Sequence, residues 1–327
     1  MISKLYSKIK NFLKDNIIYI LLVLITITIS NIPMPYHIET YGGLINIKNK
    51  VIVDNGYESM GSYNLTYVSE IKSNIFTVLL SKFNKDWDLY KNENTKEKAS
   101  DLNLRGELLL YNSFSNATYV AYTYAKEKIN IVSSSVYVIY IDKDASTNLK
   151  VGDKINSVNG FDISSLSDYL NVVENSKKGD KLKLIVNDNE EKYIVVSEYN
   201  GKKNTLIALI CNNSYDKNVT FNFNKNESGP SGGFIIALSI YDKLVPTDIS
   251  RGYKISGTGT IDINGLVGEI DGVKYKLKGA VKNKADIFFV PVNNYNEAIK
   301  EKNENNYDID IVKIYKFSDA IKYLESK

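Results

Sequence analysis

The side chain whose setting most favours chemistry is a serine in a glycine-rich turn. Ser231 stands in G-P-S-G-G (residues 229–233), and the apolar run at 234–241 predicts a buried helix directly after it. At a helix start, free N–H groups and the positive end of the helix dipole favour an oxyanion, and glycines let a substrate backbone approach. Taken alone, such a turn is more often a plain helix start with the serine as its cap.

A serine hydroxyl becomes a good nucleophile only when a neighbouring base accepts its proton. The single histidine, His37, lies far from this turn in sequence, which excludes a Ser-His-Asp triad, a Cys-His pair and an H-E-x-x-H zinc site. Lysine remains as the base, provided that burial or nearby positive charge lowers its pKa. The sequence also has no P-loop motif, so we expect no ATP, and we predict neither a cofactor nor a metal.

Three lysines of one predicted helix compete for the role of base. Residues 273–281 carry apolar side chains at helical spacing, and Lys274, Lys276 and Lys278 lie among them. This spacing places Lys274 and Lys276 on opposite flanks of the apolar face and Lys278 further into solvent, so periodicity does not choose between them. The ordinary interpretation of each is an exposed helix lysine.

The elements around these residues follow a definite order. Residues 254–261 and 266–270 are predicted strands of a hairpin, because the Asn264-Gly265 pair between them tolerates positive φ. The helix with the three lysines comes next. Residues 285–290 then predict a buried strand that ends at Pro291.

Composition limits the classes of protein to which the chain can belong. Its 327 residues are 43% hydrophobic and 24% charged, which suffices for two or three folded units. A net charge of +3 from 41 basic and 38 acidic residues gives no polybasic field, so nucleic acid is not an expected partner. The single cysteine, Cys211, cannot form an intrachain disulfide and is interpreted as a small buried residue.

The N-terminus predicts a membrane anchor over residues 1–36. Four lysines (Lys4, Lys8, Lys10 and Lys14) precede the apolar run 17–29, which with residues 30–34 approaches the ~20 residues needed to cross a bilayer. The positive-inside rule then places the N-terminus in the cytoplasm and the rest of the chain outside the cell membrane. The alternative is a cleaved signal peptide, but the segment lacks an A-x-A-like cleavage site.

The middle of the chain divides into two stretches. Residues 37–130 predict mixed strand and helix without a catalytic motif. Residues 131–198 are more informative: they predict a strand at 136–141, an Asn159-Gly160 turn, a helix that begins with a capping box at Ser165, and two strands at 181–186 and 192–196.

That order, with G-D-x-I-x-x-V-N-G at residues 152–160, resembles a PDZ domain over residues 131–198. The resemblance implies that a peptide adds as a strand beside the helix, with its C-terminal carboxylate held by a backbone loop. We assign that loop to Ser133-Ser134-Ser135-Val136, which lacks the usual glycines. The alternative is a PDZ-like module that only packs against its neighbour.

Four motifs together resemble the proteolytic domain of Lon proteases: G-P-S-G-G, G-T-G-T-I (257–261), N-G-L-V-G-E-I-D-G-V-K-Y-K (264–276) and A-D-I-F-F-V-P (285–291). With the anchor and the PDZ-like stretch, the chain is similar to bacterial membrane-bound PDZ-containing Lon-like proteases. The resemblance implies that Ser231 is the nucleophile, Lys276 the base and Thr258 its support, with oxyanion-binding amides at Gly232 and Gly233.

The fold class implied is α+β, with a transmembrane helix, a PDZ domain at 131–198 and a Lon-type proteolytic domain at 199–327; residues 37–130 form an α/β segment packed on it. The implied function is ATP-independent cleavage of extracytoplasmic or membrane-proximal proteins by a serine endopeptidase, in a homo-oligomer for which the resemblance suggests a hexamer. Two departures from the motifs, Gly232 for Ala and Asp271 for Gly, keep open an alternative: an inactive scaffold that binds peptides or proteins.

Overall fold

A computed structural model describes residues 2–92, 97–224, 227 and 229–327 of the chain. Its helices are α1 Ile2–Asp15, α2 Ile17–Ser30, α3 Ile75–Ser81, α4 Ala99–Tyr124, α5 Leu166–Asn175, α6 Gly233–Leu244, α7 Val273–Lys282, α8 Tyr295–Asn305 and α9 Phe317–Glu325. Its strands are β1 Tyr36–Asn46, β2 Val51–Val53, β3 Ser62–Lys72, β4 Asp88–Lys91, β5 Ile131–Ile141, β6 Lys154–Val158, β7 Phe161–Asp162, β8 Lys181–Val186, β9 Glu190–Val195, β10 Ser197–Tyr199, β11 Lys202–Asn204, β12 Ile207–Tyr215, β13 Val219–Phe221, β14 Lys254–Gly257, β15 Thr260–Ile261, β16 Val267–Gly268, β17 Ile287–Pro291 and β18 Asp310–Ile314.

These elements form two compact units. The small unit comprises Met1–Gly42 and Val68–Asn94, and the large unit comprises Gly43–Tyr67 and Thr95–Lys327. Strands β1 and β3 therefore contribute residues to both.

The large unit is built on a parallel sheet in the order β18-β17-β14-β3. Every residue of β17 is buried, as expected for a parallel strand covered on both faces. Because successive side chains point to opposite faces, Ile287 and Phe289 join one core, with α4, α6 and α9, while Phe288 and Val290 join another, with α7 and α8.

Residues before the inserted PDZ-like stretch are part of this sheet and its core. Ser62 to Leu65 of β3 pair with Lys254 to Gly257 of β14, and β2 pairs with β13. Helix α4 packs along α6, the apolar helix after Ser231. The segment 37–130 therefore contributes a central strand and a long helix to the fold that carries the candidate site.

The PDZ-like stretch forms its own antiparallel sheet in the order β12-β5-β6-β8-β9, with helix α5 and a separate core. The predicted turn and helix start are confirmed: Asn159 and Gly160 have φ of 51° and 84°, and Ser165 forms a capping box with Asp168. Cys211 packs partly buried against this core.

The predicted carboxylate loop is wrong. Residues 133–136 lie inside β5, which pairs on one side with β12 and on the other with β6. The strands that contact helix α5 are β11 and β12, which both follow the PDZ-like stretch in sequence. A long-range pairing of this kind leaves no local signal in the sequence.

The predicted strand 254–261 is also divided. Residues 254–257 form β14 in the parallel sheet, and only Thr260 and Ile261 form the hairpin with Val267 and Gly268. Gly259 has a φ of 147°, a conformation open to glycine but rarely to other residues, and it redirects the chain between the two strands.

The small unit contains the predicted anchor as two helices rather than one. Helices α1 and α2 meet at Asn16 with a bend of 71°, and among the described residues no single helix is long and apolar enough to span a membrane, whereas this bent pair passes that test together. None of residues 17–30 is buried within the structure. A membrane span therefore stays a prediction.

Candidate active site

Ser231 lies in a short 3-10 turn, Pro230–Gly232, that leads directly into helix α6. Gly229 enters this turn with a φ of 103°, which favours glycine. The Ser231 carbonyl accepts hydrogen bonds from the backbone N–H of Gly259 (2.8 Å) and from the Thr258 hydroxyl (3.2 Å). The predicted position of Ser231 at a helix start therefore agrees with the structure.

Helix α4 holds the other side of the turn. The Ser113 hydroxyl donates to the Pro230 carbonyl (3.3 Å), and the Gly229 N–H donates to the Gly106 carbonyl (3.3 Å). Sequence analysis found no functional residue in α4. The available signal was the group of small residues Ser113, Ser115, Ala117 and Thr118, because small side chains allow a helix to approach a neighbouring backbone closely.

The two glycines predicted to supply oxyanion-binding amides differ in their bonding. The Gly233 N–H donates to the Pro230 carbonyl, so an oxyanion role for it would require that bond to open. For Gly232 the role stays a prediction. A methyl group added at Gly232 would lie 3.0 Å from the end of the Leu65 side chain, a tight contact that a small shift of the leucine would have to relieve.

Of the three competing lysines, Lys276 is the buried one. Its side chain lies on the core face of α7 with 6% of the residue exposed, whereas Lys274 and Lys278 are half-buried. The Lys276 ammonium donates to the Thr258 hydroxyl at 3.3 Å. Burial lowers the pKa of Lys276 from 10.5 to about 8, and the negative charge of Asp271 opposes this shift.

Thr258 connects the two predicted catalytic residues. Its buried hydroxyl accepts from Lys276 and donates to the Ser231 carbonyl, and its backbone N–H donates to the Phe289 carbonyl at the end of β17. Thr258 directly follows β14, so it stands at the carboxyl edge of the parallel sheet, where ligands bind in open α/β sheets. Three residues distant in sequence thereby share one site.

A groove runs between β12 and helix α5. It encloses a cavity of about 180 Å³ with a mainly apolar lining, formed by Leu166, Tyr169, Leu170, Val173, Lys203, Asn204, Thr205, Ile207 and Leu209. The Tyr169 hydroxyl donates to Thr205 (2.9 Å), and burial raises the pKa of Tyr169 to about 12.

Helix α4 also binds the far half of strand β12. Asn112 donates to the Cys211 carbonyl (2.9 Å), and the Asn213 N–H donates to Ser115 (3.2 Å). Because backbone groups of alternate strand residues face the same edge, we expect the N–H and carbonyl of Leu209, a residue that lines the groove, to lie on this edge as well. Helix α4 therefore contacts both the Ser231 turn and the strand that lines the groove.

A larger cleft of about 860 Å³ lies between α4, the β5–β12 ribbon and the segment that leads to Ser231. Its walls carry aromatic side chains, including Tyr111, Phe114 and Phe223, and a row of serine and asparagine side chains. The buried Asn212 Oδ1 in this cleft has no hydrogen-bond partner. Within the described ranges, no cluster of His, Cys, Asp or Glu side chains could hold a metal ion.

Comparisons with known proteins match part of the chain. Residues 224–325 match the Lon protease (S16) C-terminal proteolytic domain. The Lon protease of Campylobacter jejuni is 32% identical over 102 residues, which are 30% of this chain and 12% of that protein, so the chain spans about an eighth of its relative.

Two solved structures from Listeria are similar to about a quarter of this chain. The PDZ domain of the SdrC-like protein of Listeria monocytogenes is 20% identical, with 25% of this chain and 93% of that chain covered at a TM-score of 0.22. The second domain of another Listeria protein is 23% identical, with 27% and 90% covered at a TM-score of 0.20. The match to the Lon family supports a serine peptidase in general, and the chain contains a Lon protease (S16) C-terminal proteolytic domain at residues 224–325.

Proposed function

We propose that this chain is a membrane-anchored serine endopeptidase in which Ser231 is the nucleophile and Lys276 the general base. One observation carries the proposal: a buried lysine with a lowered pKa is joined through the Thr258 hydroxyl to the residue in the glycine-rich turn. At a pKa of 10.5, roughly one lysine in 3,000 is neutral at pH 7, whereas at about 8 the neutral fraction is roughly one in ten.

The chemistry is acyl transfer. The Ser231 Oγ attacks the carbonyl carbon of the peptide, and Lys276 Nζ accepts the hydroxyl proton as the new C–O bond forms. Backbone amides of the turn hold the oxyanion of the tetrahedral intermediate. When the C–N bond breaks, Lys276 returns the proton to the leaving amine, and water then hydrolyses the acyl-enzyme with Lys276 again as the base.

Substrates are proteins or peptides in an extended conformation. The groove between β12 and α5 fits an added strand, because Leu209 presents backbone groups to it and apolar side chains line it. A chain bound there can continue along the 860 Å³ cleft, whose lining includes Phe223 and Asn224 just before the Ser231 turn. The PDZ-like sheet thus delivers or gates substrate for a site that needs no ATP.

The anchor places this site outside the cytoplasm. Lysines upstream of α2 orient the N-terminus inward, so a protease added to intact cells should cleave the catalytic and PDZ-like regions. The resemblance to Lon-like proteases also suggests that the chain forms a homo-oligomer, and a hexamer is the expected size.

The test is labelling by a serine-reactive fluorophosphonate together with hydrolysis of a fluorogenic peptide, both without ATP. We expect the wild-type chain to be labelled and to cleave, and Ser231→Ala to do neither while its circular dichroism spectrum is unchanged. Ser100→Ala is the control, because it removes an exposed serine hydroxyl that contacts Asp101 and not the Ser231 turn. Cleavage by Ser231→Ala would reject the proposal.

The alternative is a scaffold that binds peptides without cleaving them. The charge of Asp271 favours the scaffold, because this charge raises the pKa of Lys276 and so disfavours the neutral form that acts as a base. An unlabelled wild-type chain that still binds extended peptides, and loses this binding when Leu209→Pro blocks strand addition, would support the scaffold.

A further inference from the structure

Helix α3 of the small unit has its apolar side turned outward. Thr77, Val78 and Ser81 face the unit and are half-buried. The large apolar side chains lie on the opposite side with exposures of 39–81%: Ile75, Phe76, Leu79, Leu80 and, just after the helix, Phe83. Their spacing forms one continuous helical face. A helix at a water surface shows the reverse arrangement, so water is not the natural neighbour of this face.

The start of α3 is fixed next to the end of the apolar helix α2. The Met34 N–H donates to the Ser73 carbonyl (3.1 Å), and the Ser73 hydroxyl donates to the Tyr36 carbonyl (2.5 Å). Asn74 then caps α3 through a capping box with Thr77. Helices α2 and α3 also contact each other directly within the small unit. Helix α3 therefore lies beside the outer end of the apolar helix α2.

Helix α2 alone is short for a bilayer. At about 1.5 Å per residue its 14 residues span about 21 Å, against a hydrocarbon core of about 30 Å. An interfacial helix enters a membrane surface by roughly 5–10 Å. An apolar helix beside the outer end of α2 would therefore cover part of the depth that α2 does not reach.

We propose that α3 and the turn after it, residues 75–87, lie in the outer headgroup boundary of the membrane as a second lipid contact. This inference rests on the anchoring that belongs to the proposed function. Lys82 and Lys85 flank the apolar face and can extend their ammonium groups to lipid phosphates. Trp87 borders a shallow hollow with Leu80 and Phe83, and tryptophan is enriched at this membrane depth.

The lipid surface is the occupant that these features favour over a second copy of the chain. Helix α3 contacts α2, whose residues 17–30 are all unburied and apolar or weakly polar. Lysines at its border match the phosphates of lipid headgroups. Contact through both α2 and α3 would hold the small unit against the membrane, whereas α2 alone would leave the unit free to reorient.

The single tryptophan of the chain, Trp87, makes a direct experiment possible. The full-length protein is reconstituted in phosphatidylcholine–phosphatidylglycerol vesicles, with and without lipids brominated near the headgroup end of the acyl chains. We expect brominated lipid to reduce the tryptophan emission to about half or less, as for a residue within the boundary region, and aqueous iodide to quench it little. Flotation and peptide hydrolysis are measured on the same vesicles.

Two variants and one control sharpen the test. Leu79→Asp and Phe83→Asp should each restore most of the emission in brominated vesicles and increase quenching by iodide. Tyr199→Asp, an exposed aromatic position in the PDZ-like region, should change neither. All three should float with the vesicles, because α2 is intact, and should hydrolyse the peptide at the wild-type rate.

Several outcomes would overturn the lipid contact. Quenching of wild-type Trp87 by iodide but not by brominated lipid would place α3 in water. Protection from both quenchers would place it against another protein surface, such as a second copy. Failure to float would reject the anchoring and the lipid contact together, whereas loss of hydrolysis with intact lipid quenching would reject only the peptidase.

Discussion

Two buried lysines in different regions of the large unit have different partners. Lys192 of the PDZ-like sheet is 9% exposed, and its ammonium binds both carboxylate oxygens of Asp153 at 2.7 and 2.8 Å. Lys276 is 6% exposed, and its ammonium donates to a threonine hydroxyl. A carboxylate stabilises the charged form of a buried lysine, whereas a hydroxyl leaves most of the desolvation cost in place. The first arrangement serves the fold, and the second favours loss of a proton.

The largest expected effect is on catalysis. Lys276→Ala should lower peptide hydrolysis by about 10²–10⁴-fold, because it removes the general base. Lys276→Arg should be equally inactive, since arginine does not lose its proton in proteins. The double variant with Ser231→Ala should be no worse than either single variant, because nucleophile and base act as one unit. Initial rates at saturating peptide provide the measurement.

Lys192→Met is the matched control, since it removes the other buried lysine. At a low temperature, at which this less stable variant stays folded, its rate of peptide hydrolysis should equal that of the wild type. If Lys192→Met is inactive in a folded protein, or if Lys274→Ala loses activity while Lys276→Ala retains it, the comparison between the two lysines is wrong.

The second expected effect is on stability and falls on Lys192. Lys192→Met leaves Asp153 buried without its cation, which should lower the free energy of unfolding by about 3–5 kcal/mol. Adding Asp153→Leu should recover much of the loss, because the unpaired charge is then also removed. Urea unfolding followed by circular dichroism gives both values. A double variant as unstable as the single one would mean that packing, not charge, dominates at this position.

The elements around the two lysines differ in how well sequence predicts them. The helix start at Ser165, the strand 181–186 and the helix of Lys276 follow local signals of capping and periodicity, and the structure confirms them. Burial of Lys276 was not predictable from spacing, because it depends on strands β14 and β17 and on Thr258. The carboxylate-binding loop was wrongly assigned to residues 133–136 for the same reason: β12 pairs with β5 about 70 residues away, and no local pattern encodes that pairing.

The third expected effect is the contribution of Lys276 to the pH dependence of stability. Its pKa is about 8 in the folded chain and 10.5 as the reference value, so between these values the unfolded chain binds more protons. The contribution of Lys276 to stability should therefore rise with pH across this window, by on the order of 3 kcal/mol in total. Comparison with Lys276→Met, which should lack this rise, isolates the contribution. If the free energy of unfolding changes equally with pH in the wild type and in Lys276→Met, Lys276 is not buried in its charged form.

The smallest expected effect concerns the charge next to Lys276. Asp271 is exposed, and its negative charge raises the pKa of Lys276 and so opposes the effect of burial. Asp271→Asn removes this charge with little change in shape, so the pKa of Lys276 should fall. Exposed charge pairs contribute about 0.2–1 kcal/mol, which corresponds to a shift of ~0.2–0.7 pH units.

The measurement for Asp271→Asn is the pH profile of kcat/KM, whose rising limb reports the essential base of the free enzyme. Because the base must be neutral, the rate increases as pH rises through the pKa of Lys276, and the variant should reach half of its maximal rate at a lower pH than the wild type. Below pH 8 it should therefore be faster, by up to about fivefold. Asp262→Asn, in the hairpin turn before β16, is the control for removal of an acidic charge. A midpoint that moves upward in Asp271→Asn would show that Asp271 does not act on Lys276 through its charge, and that the titrating base belongs to another residue.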